Sequence, residues 1–108
     1  MSFSVAHDPV VTAVRTALST VEDPELGIDI VSLGLVYAIE RDGGHVRVVY
    51  TLTSMGCPLG PMIERDMRNT LADVEEVDSI DAELTFDPPW TPARMSDEAK
   101  FVLGVYGA

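Results

Sequence analysis

The chain lacks several features that mark common classes of protein. It contains one cysteine in 108 residues, so it cannot form an internal disulfide. Only seven residues are Lys or Arg against 18 Asp or Glu, and the formal net charge of −11 opposes sustained contact with nucleic-acid phosphates. No apolar run approaches the ~20 residues that a membrane-spanning helix needs. We therefore expect neither a nucleic-acid partner nor a membrane partner.

The N-terminus has no basic region followed by a long apolar stretch, which is the pattern of a secretory signal. Together with the single cysteine, this predicts a cytoplasmic location. The acid excess suits a basic partner surface, although a salty habitat or a codon bias explains it as well. The 46% of apolar residues suffices for one core. We expect a flexible tail over residues 1–8 and a single domain over residues 9–108.

The first half of the chain predicts a helix and a β-hairpin. Asp8 and Pro9 form an N-cap and a first helical residue, and an apolar stripe at helical spacing runs to Thr20 or Val21. Strands are predicted over residues 35–40 and 46–53, because both are rich in β-branched and aromatic residues. The turn between them contains paired glycines, which supply a positive φ.

The second half predicts a helix, a strand and a short final helix. The helix opens at Pro61 and ends between residues 74 and 77, and residues 80–86 then alternate as a half-buried strand does. A strand–helix–strand connection of this length favours parallel strands. After a proline-rich segment, Ser96 caps the last helix and Gly104 ends it. This order predicts an α/β (α+β) two-layer sandwich, with a small mixed sheet and the main helices on one face.

The only cysteine, Cys57, lies in the short loop between the hairpin and the second helix, flanked by Gly56 and Pro58. The positive end of a helix dipole and its unpaired N–H groups favour a thiolate, which attacks electrophiles or binds soft metals. The alternative is a small buried hydrophobic residue, as many free cysteines are. The residues alone do not decide between the two.

Two further pairs of residues are candidates for the same site. Asp23 and Glu25 belong to an acidic loop and are either a solvated turn or a base and hard ligands beside Cys57. Thr53 and Ser54 either hydrogen-bond the loop or orient a ligand there. A single cysteine cannot hold an iron–sulfur cluster alone, so a cluster would need a second chain, a partner's ligands or a small thiol.

Three segments resemble the motifs of one known family, in the same order. DPELGIDIVSLGLVY at residues 23–37 resembles "DPE(L/I)…(I/V)V.LGL(V/I)Y", and TSMGCP at residues 53–58 resembles "T(T/S)..CP". PPWTPARMSDEA at residues 88–99 resembles "PPW.P..(M/I)S..A". On these motifs, which span about residues 9–104, the chain is identified as similar to the SufT/PaaD-like, or MIP-eighteen-like, family of iron–sulfur cluster assembly domains.

This resemblance implies an accessory factor in the assembly of iron–sulfur clusters or their delivery to client apoproteins, rather than an enzyme or a scaffold. It implies that Cys57 is a transient ligand of iron or of an iron–sulfur cluster, and that five residues line one site: Asp23, Glu25, Thr53, Ser54 and Cys57. Met55 stands where the family usually has proline, which leaves a more flexible turn. The chain lacks the cysteine-rich tail of the PaaD branch, so the SufT-like branch is favoured.

Three alternatives follow from the same residues. The protein is a non-metal adaptor whose acidic surface docks clients, or a PaaD-type component in the maturation of the phenylacetyl-CoA oxygenase. A thiol enzyme has the least support, because neither His7 nor His45 is placed to pair with Cys57.

We also expect a homodimer, since a small sheet with helices on one face leaves its other face or an edge to cover.

Overall fold

The computed structural model describes residues 8–53 and 59–104. Within these residues the chain forms one three-stranded sheet, three α-helices and a 3₁₀ turn at Pro92–Arg94. In chain order the main elements are α1 (Pro9–Leu18), β1 (Val36–Asp42), β2 (His45–Tyr50), α2 (Gly60–Ala72), β3 (Ser79–Leu84) and α3 (Asp97–Leu103). The predicted α+β fold class and order of elements are confirmed. No helix in the described part of the chain is long and apolar enough to cross a membrane.

The predicted helix caps are present. Asp8 Oδ1 accepts hydrogen bonds from the N–H groups of Val10 and Val11, at 2.9 and 3.3 Å. At the other end of the chain, Ser96 Oγ accepts from the N–H of Ala99 at 3.1 Å, and Gly104 ends α3 in the left-handed conformation. Both pairs of signals act within one turn, which is why they can be recognised without knowing the fold.

Two helices end earlier than their apolar patterns predict. α1 ends at Leu18 rather than at Thr20 or Val21, and α2 ends at Ala72 rather than beyond residue 73. After each helix the N–H groups bond to carbonyls three residues back, as Val21 does to Leu18 at 3.0 Å and Val74 to Leu71 at 3.1 Å. Such turns keep the apolar spacing of a helix without continuing it, so the pattern overestimates the length.

The sheet has the order β1-β2-β3, with β1 antiparallel and β3 parallel to β2. The parallel pairing was predicted and is confirmed. Val46, Val48 and Tyr50 of β2 face the core, where they pack against buried residues of both long helices: Val14, Leu18, Ile63, Met67 and Leu71. On the opposite face Arg47 forms ion pairs with Glu40 and Glu83, on the two neighbouring strands.

At the end of the sheet opposite the β1–β2 turn, all three strands are shorter than predicted. β2 stops at Tyr50 instead of residue 53, because the next N–H, that of Thr51, donates to the carbonyl of Leu35 ahead of β1 at 2.8 Å. β1 begins with an irregular register between Val36 and Ala38. The regular ladder gives way here to bonds between loops, which alternation along one strand does not reveal.

α2 is tied to the sheet by a polar chain at the border of the core. The hydroxyl of Tyr50 donates to Glu64 Oε1 at 2.7 Å, and Arg68 Nε–H donates to Glu64 Oε2 at 3.2 Å. Arg68 also donates through Nη1 to the carbonyl of Ile80 in β3, at 3.3 Å. The Tyr50 hydroxyl is the largest cause that lowers the pKa of Glu64, while burial and the same carboxylate raise the pKa of Tyr50.

The segments before β1 and after β3 pack closely on each other. Gly34 has a φ of +77°, and a Cβ at this position would lie 2.3 Å from the carbonyl oxygen of Arg94. Next to this contact, the N–H of Ser96 donates to the carbonyl of Ser32 at 2.8 Å. The residue at position 34 must therefore be glycine both for its backbone conformation and for the approach of a second backbone.

We expect Gly34→Ala to lower the free energy of unfolding by about 3 kcal/mol or more, because it adds a backbone clash to the cost of a left-handed alanine. Gly27→Ala is the matched control, since Gly27 has a φ of +69° but nothing within 4 Å of a Cβ. That variant should lose only about 1 kcal/mol. Urea unfolding measures both, and equal losses would refute the close contact at Gly34.

Tyr50→Phe should cost about 1 kcal/mol at neutral pH, since it removes one hydrogen bond from a buried hydroxyl to a charged acceptor. Because the pKa of Glu64 is lowered in the folded state, its interaction with Tyr50 stabilises the fold at a pH above the unfolded value of 4.5. This stabilisation is lost as the pH falls through the folded pKa. The difference from wild type should therefore shrink in acid. In Tyr37→Phe, which loses a bond to the Pro88 carbonyl, the difference should not change with pH. Urea unfolding at several pH values compares the two, and a Tyr50→Phe difference that persists in acid would contradict the coupling.

Candidate functional site

The topology brings three loops to one end of the sheet. β1 runs antiparallel to β2 and β3 runs parallel to it, so the start of β1 lies beside the ends of β2 and β3. The loop before β1 contains residues 23–35, the segment after β2 begins at Thr51, and the segment after β3 contains residues 85–96. Each of the three sequence motifs described above lies in or adjoins one of these segments.

Hydrogen bonds join these segments directly. The Thr51 N–H donates to the Leu35 carbonyl at 2.8 Å, which links the end of β2 to the loop before β1. The indole Nε1–H of Trp90 donates to the Leu33 carbonyl at 2.7 Å, and the half-buried ring packs against the core. Trp90 is thus a packing residue. The segment after β3 closes over the loop that contains the acidic motif.

A second contact fixes the same segment against β1. The Tyr37 hydroxyl donates to the Pro88 carbonyl at 2.8 Å, and the guanidinium of Arg94 lies 4.6 Å from the centre of the Tyr37 ring. A cation over an aromatic face is attracted by the ring quadrupole. Tyr37 therefore holds both ends of the proline-rich segment, at positions that no local pattern in the sequence singles out.

Asp23 is buried and forms the turn that contains it. Its side chain is 3% exposed, and Oδ1 accepts from the N–H of Glu25 at 2.8 Å and of Leu26 at 3.1 Å. Its backbone N–H and carbonyl also bond within the loop, to Ile28 and Gly27. The alternative of a solvated acid is therefore wrong for Asp23. The carboxylate instead organises the backbone of the acidic loop.

Glu25 and Thr53 are placed differently from Asp23. The side chain of Glu25 is exposed, while Thr53 is half-buried two residues beyond the fully buried Thr51. The sequence did not indicate that Thr51 is buried, because its place in the predicted strand is like that of any outward-facing residue. Only the contact with the Leu35 carbonyl distinguishes it.

Ser54 and Cys57 lie outside the described residues, so the prediction that they belong to this site stays a prediction. The flanks of their loop are described. α2 begins at Gly60, its N-cap Leu59 offers no side-chain hydrogen bond, and a Cβ on Gly60 would lie 2.8 Å from Leu52 Cδ1. The start of α2 thus lies against the extension of β2, at the same end of the sheet as Asp23.

The side chains that commonly ligate metals are not grouped in the described residues. Among residues 8–53 and 59–104, no group of three or more His, Cys, Asp or Glu side chains is arranged to hold a metal ion. His45 is the first residue of β2 and its Nδ1 lies 2.6 Å from Ser79 Oγ, at the far end of the sheet. His45 is therefore remote from the end of β2 that leads to Cys57, as the sequence suggested.

We expect Asp23→Ala to lower the free energy of unfolding by about 1–2 kcal/mol, because two backbone N–H groups lose their buried acceptor. Asp23→Asn keeps an acceptor oxygen and should retain most of that stability. The control is Glu25→Ala, whose exposed side chain should change stability by less than about 0.5 kcal/mol. Chemical denaturation of the three variants tests the role of Asp23, and equal stability of Asp23→Ala and wild type would disprove it.

Comparison with known proteins agrees with this architecture. A family profile described as "Iron-sulfur cluster assembly protein" matches residues 12–83. The "Fe-S protein maturation auxiliary factor YitW" of Bacillus subtilis is 49% identical over 90 residues, which cover 82% of this chain and 88% of that protein. The "Fe-S protein maturation auxiliary factor SufT" of Staphylococcus aureus is 50% identical over 84 residues, covering 77% and 96%.

A larger relative contains the same unit as a minor part. The "Iron-sulfur cluster carrier protein" of Deinococcus radiodurans is 44% identical over 72 residues, which are 67% of this chain but only 21% of that protein. Among solved structures, a domain of unknown function, DUF59, from Bacillus anthracis matches with a TM-score of 0.86 at 40% identity, covering 89% of this chain and 92% of that one. The matched profile and these relatives confirm the resemblance drawn from the motifs, and the chain belongs to the iron–sulfur cluster assembly protein family.

Proposed function

We propose that this protein is an accessory factor that assists the assembly of iron–sulfur clusters or delivers them to client apoproteins, with Cys57 as a transient ligand. The observation that carries the proposal is that hydrogen bonds join the segments of the first and third family motifs, and join the first to Thr51, which leads in sequence toward Cys57. The names of the relatives, maturation auxiliary factors and a cluster carrier, support the same reading.

The chemistry of Cys57 suits a cargo that is held briefly. A thiolate is a soft ligand for iron, and the N-terminus of α2, uncapped by Leu59, is close in sequence. One thiol per chain supplies a quarter of the usual cluster ligands, so the others come from a second protein or from a small thiol. Such shared ligation favours transfer over storage, and the cytoplasm, which keeps thiols reduced, is the proposed setting.

The other predicted residues take different parts in this proposal. Asp23 shapes the acidic loop from within, whereas the exposed carboxylate of Glu25 is available to iron or to a partner. Thr53 and Ser54 orient the loop that contains Cys57. The chain performs no catalytic step of its own, and its partners are the assembly machinery and client apoproteins. Identity of about half to SufT and YitW favours the SufT-like over the PaaD-type pathway.

A second candidate function, a non-metal adaptor, is favoured by the charge of the protein. The net charge of −11 and the exposed Glu25 would attract a basic client surface whether or not Cys57 touches metal. Because Asp23 is buried, reversing its charge would test folding rather than docking. Glu25→Lys is therefore the cleaner variant for the adaptor.

The test of the leading proposal is anaerobic reconstitution with iron and sulfide, followed by visible absorbance and iron per chain after desalting. We expect the wild type to retain colour and iron, and Cys57→Ala to retain neither. Thr51→Val, a buried change beside the same loop, is the control for general damage and should behave as wild type. Colour in Cys57→Ala, or none in any protein, would refute ligation by Cys57.

Client maturation in cells that lack the gene separates the two functions. The proposal expects Cys57→Ala to fail to restore the activity of an iron–sulfur enzyme, whatever the effect of Glu25→Lys. The adaptor expects the reverse: full rescue by Cys57→Ala and loss of client binding in Glu25→Lys.

A further inference from the structure

β3 is an edge strand whose outer side is unpaired in the described part of the chain. The sheet order β1-β2-β3 gives β3 one neighbour, β2. A strand edge presents a row of free N–H and C=O groups, which is a template for another strand unless something blocks it. β3 contains neither lysine nor proline and has no register irregularity against β2, so its edge is not blocked by these common means.

Hydrogen bonds at both ends of β3 show which groups face outward. The Ser79 N–H donates to Gly44 at 3.3 Å and the Thr85 N–H donates to Tyr50 at 2.9 Å, so the odd-numbered residues face β2. Because a strand alternates, Ala82 and Leu84 direct their N–H and C=O groups to the free edge. Arg68 confirms this direction, since it reaches the outward carbonyl of Ile80 from α2.

A groove runs beside this edge, between β3 and α2. Its volume is about 510 Å³, and its apolar walls include Leu52, Leu84 and Phe86. Leu84, on the core side of the sheet, is 44% exposed at the mouth of the groove. A strand added to β3 would direct every second side chain into this groove, because side chains alternate between the two faces of a sheet.

The opposite face of the edge is acidic. Asp81 and Glu83 point away from the core, in register with Arg47 and Val49, and Arg47 forms ion pairs with Glu83 and with Glu40 of β1. A second copy of this chain, paired through β3, would bring these carboxylates against their equivalents on a molecule of charge −11. Charge therefore disfavours self-pairing and favours a partner with Lys or Arg on this face.

We propose that β3 accepts an extended segment of another protein as a fourth strand, with apolar side chains in the groove and alternate Lys or Arg side chains beside Asp81 and Glu83. That the segment belongs to a client rests on the function proposed above, whereas the docking surface does not. Backbone bonds from Ala82 and Leu84 would supply affinity, and the alternation of apolar and basic residues would supply selectivity.

The probe is a short synthetic peptide that alternates lysine and valine, with a fluorescent label for anisotropy titration. The matched peptides replace lysine by glutamate, or place a proline at every second position. We expect the lysine peptide to bind at least about tenfold more tightly than either, with an affinity that falls as salt is added. Backbone amide protection on binding should appear at Ala82 and Leu84. Equal binding of all three peptides, or no protection at β3, would overturn the proposal.

Two variants test the surface itself. Ala82→Pro removes an outward N–H and leaves the β2 ladder intact, because an edge strand tolerates proline on its free side. Leu84→Lys places at the groove a positive charge that repels the lysine peptide. Val102→Lys on α3 is its control, because it adds the same charge at a 66% exposed residue outside the groove. Both β3 variants should bind the lysine peptide about tenfold more weakly, and the control should not change. Unchanged binding by both would refute the surface.

Two measurements separate this inference from its rivals. Cys57→Ala should bind the lysine peptide as wild type does, so failure of the thiol chemistry and failure of the docking surface are distinguishable. Light scattering at working concentration should give a mass near 11.7 kDa, that of a monomer, in place of the homodimer expected from the sequence. A dimer that Ala82→Pro dissociates would show that a second copy covers the edge, and the proposed partner would be wrong.

Discussion

β3 lies parallel to β2, and this one pairing decides which loops of the molecule can meet. An antiparallel third strand would have put residues 85–96 at the hairpin end, beside His45. The parallel arrangement instead brings them next to the loop before β1, where Trp90 and Ser96 bond to the carbonyls of Leu33 and Ser32. The candidate site is therefore a consequence of strand direction, which the crossover through α2 imposes.

The polar groups at that end divide between those that build the loops and those left to interact. Asp23 is buried and committed to two backbone N–H groups, and Thr51 donates its own N–H to Leu35. Unpaired buried polar groups are costly, so replacing Asp23 destabilises the fold even if it touches no ligand, whereas the backbone bond of Thr51 survives a change of its side chain. The carboxylate of Glu25 has no such structural role and is exposed to solvent. Loss of activity in Asp23 variants would consequently need a stability measurement beside it.

α2 connects the candidate site with the proposed docking edge. Its first residue, Gly60, lies against Leu52 where β2 leaves the sheet, and about one and two turns on, Glu64 and Arg68 link Tyr50 to the carbonyl of Ile80. The groove beside β3 is lined by Leu52 and Gly60, and also by Tyr50, Glu64 and Arg68. A segment seated there would lie beside Leu52 and Gly60, the described residues on either side of the stretch that contains Cys57.

Local signals in the sequence determined the order of the elements, the caps at Asp8 and Ser96 and the family, because each depends on residues within a few positions or on a contiguous motif. Helix ends at Leu18 and Ala72 were missed, since three-residue turns repeat the helical spacing. Other features depend on segments tens of residues apart: the burial of Asp23, the hydrogen bond from Tyr37 to Pro88, the glycine requirement at position 34 and the free edge of β3. Only the tertiary structure decided these, because strand pairing, and not sequence spacing, determines which distant backbones come into contact.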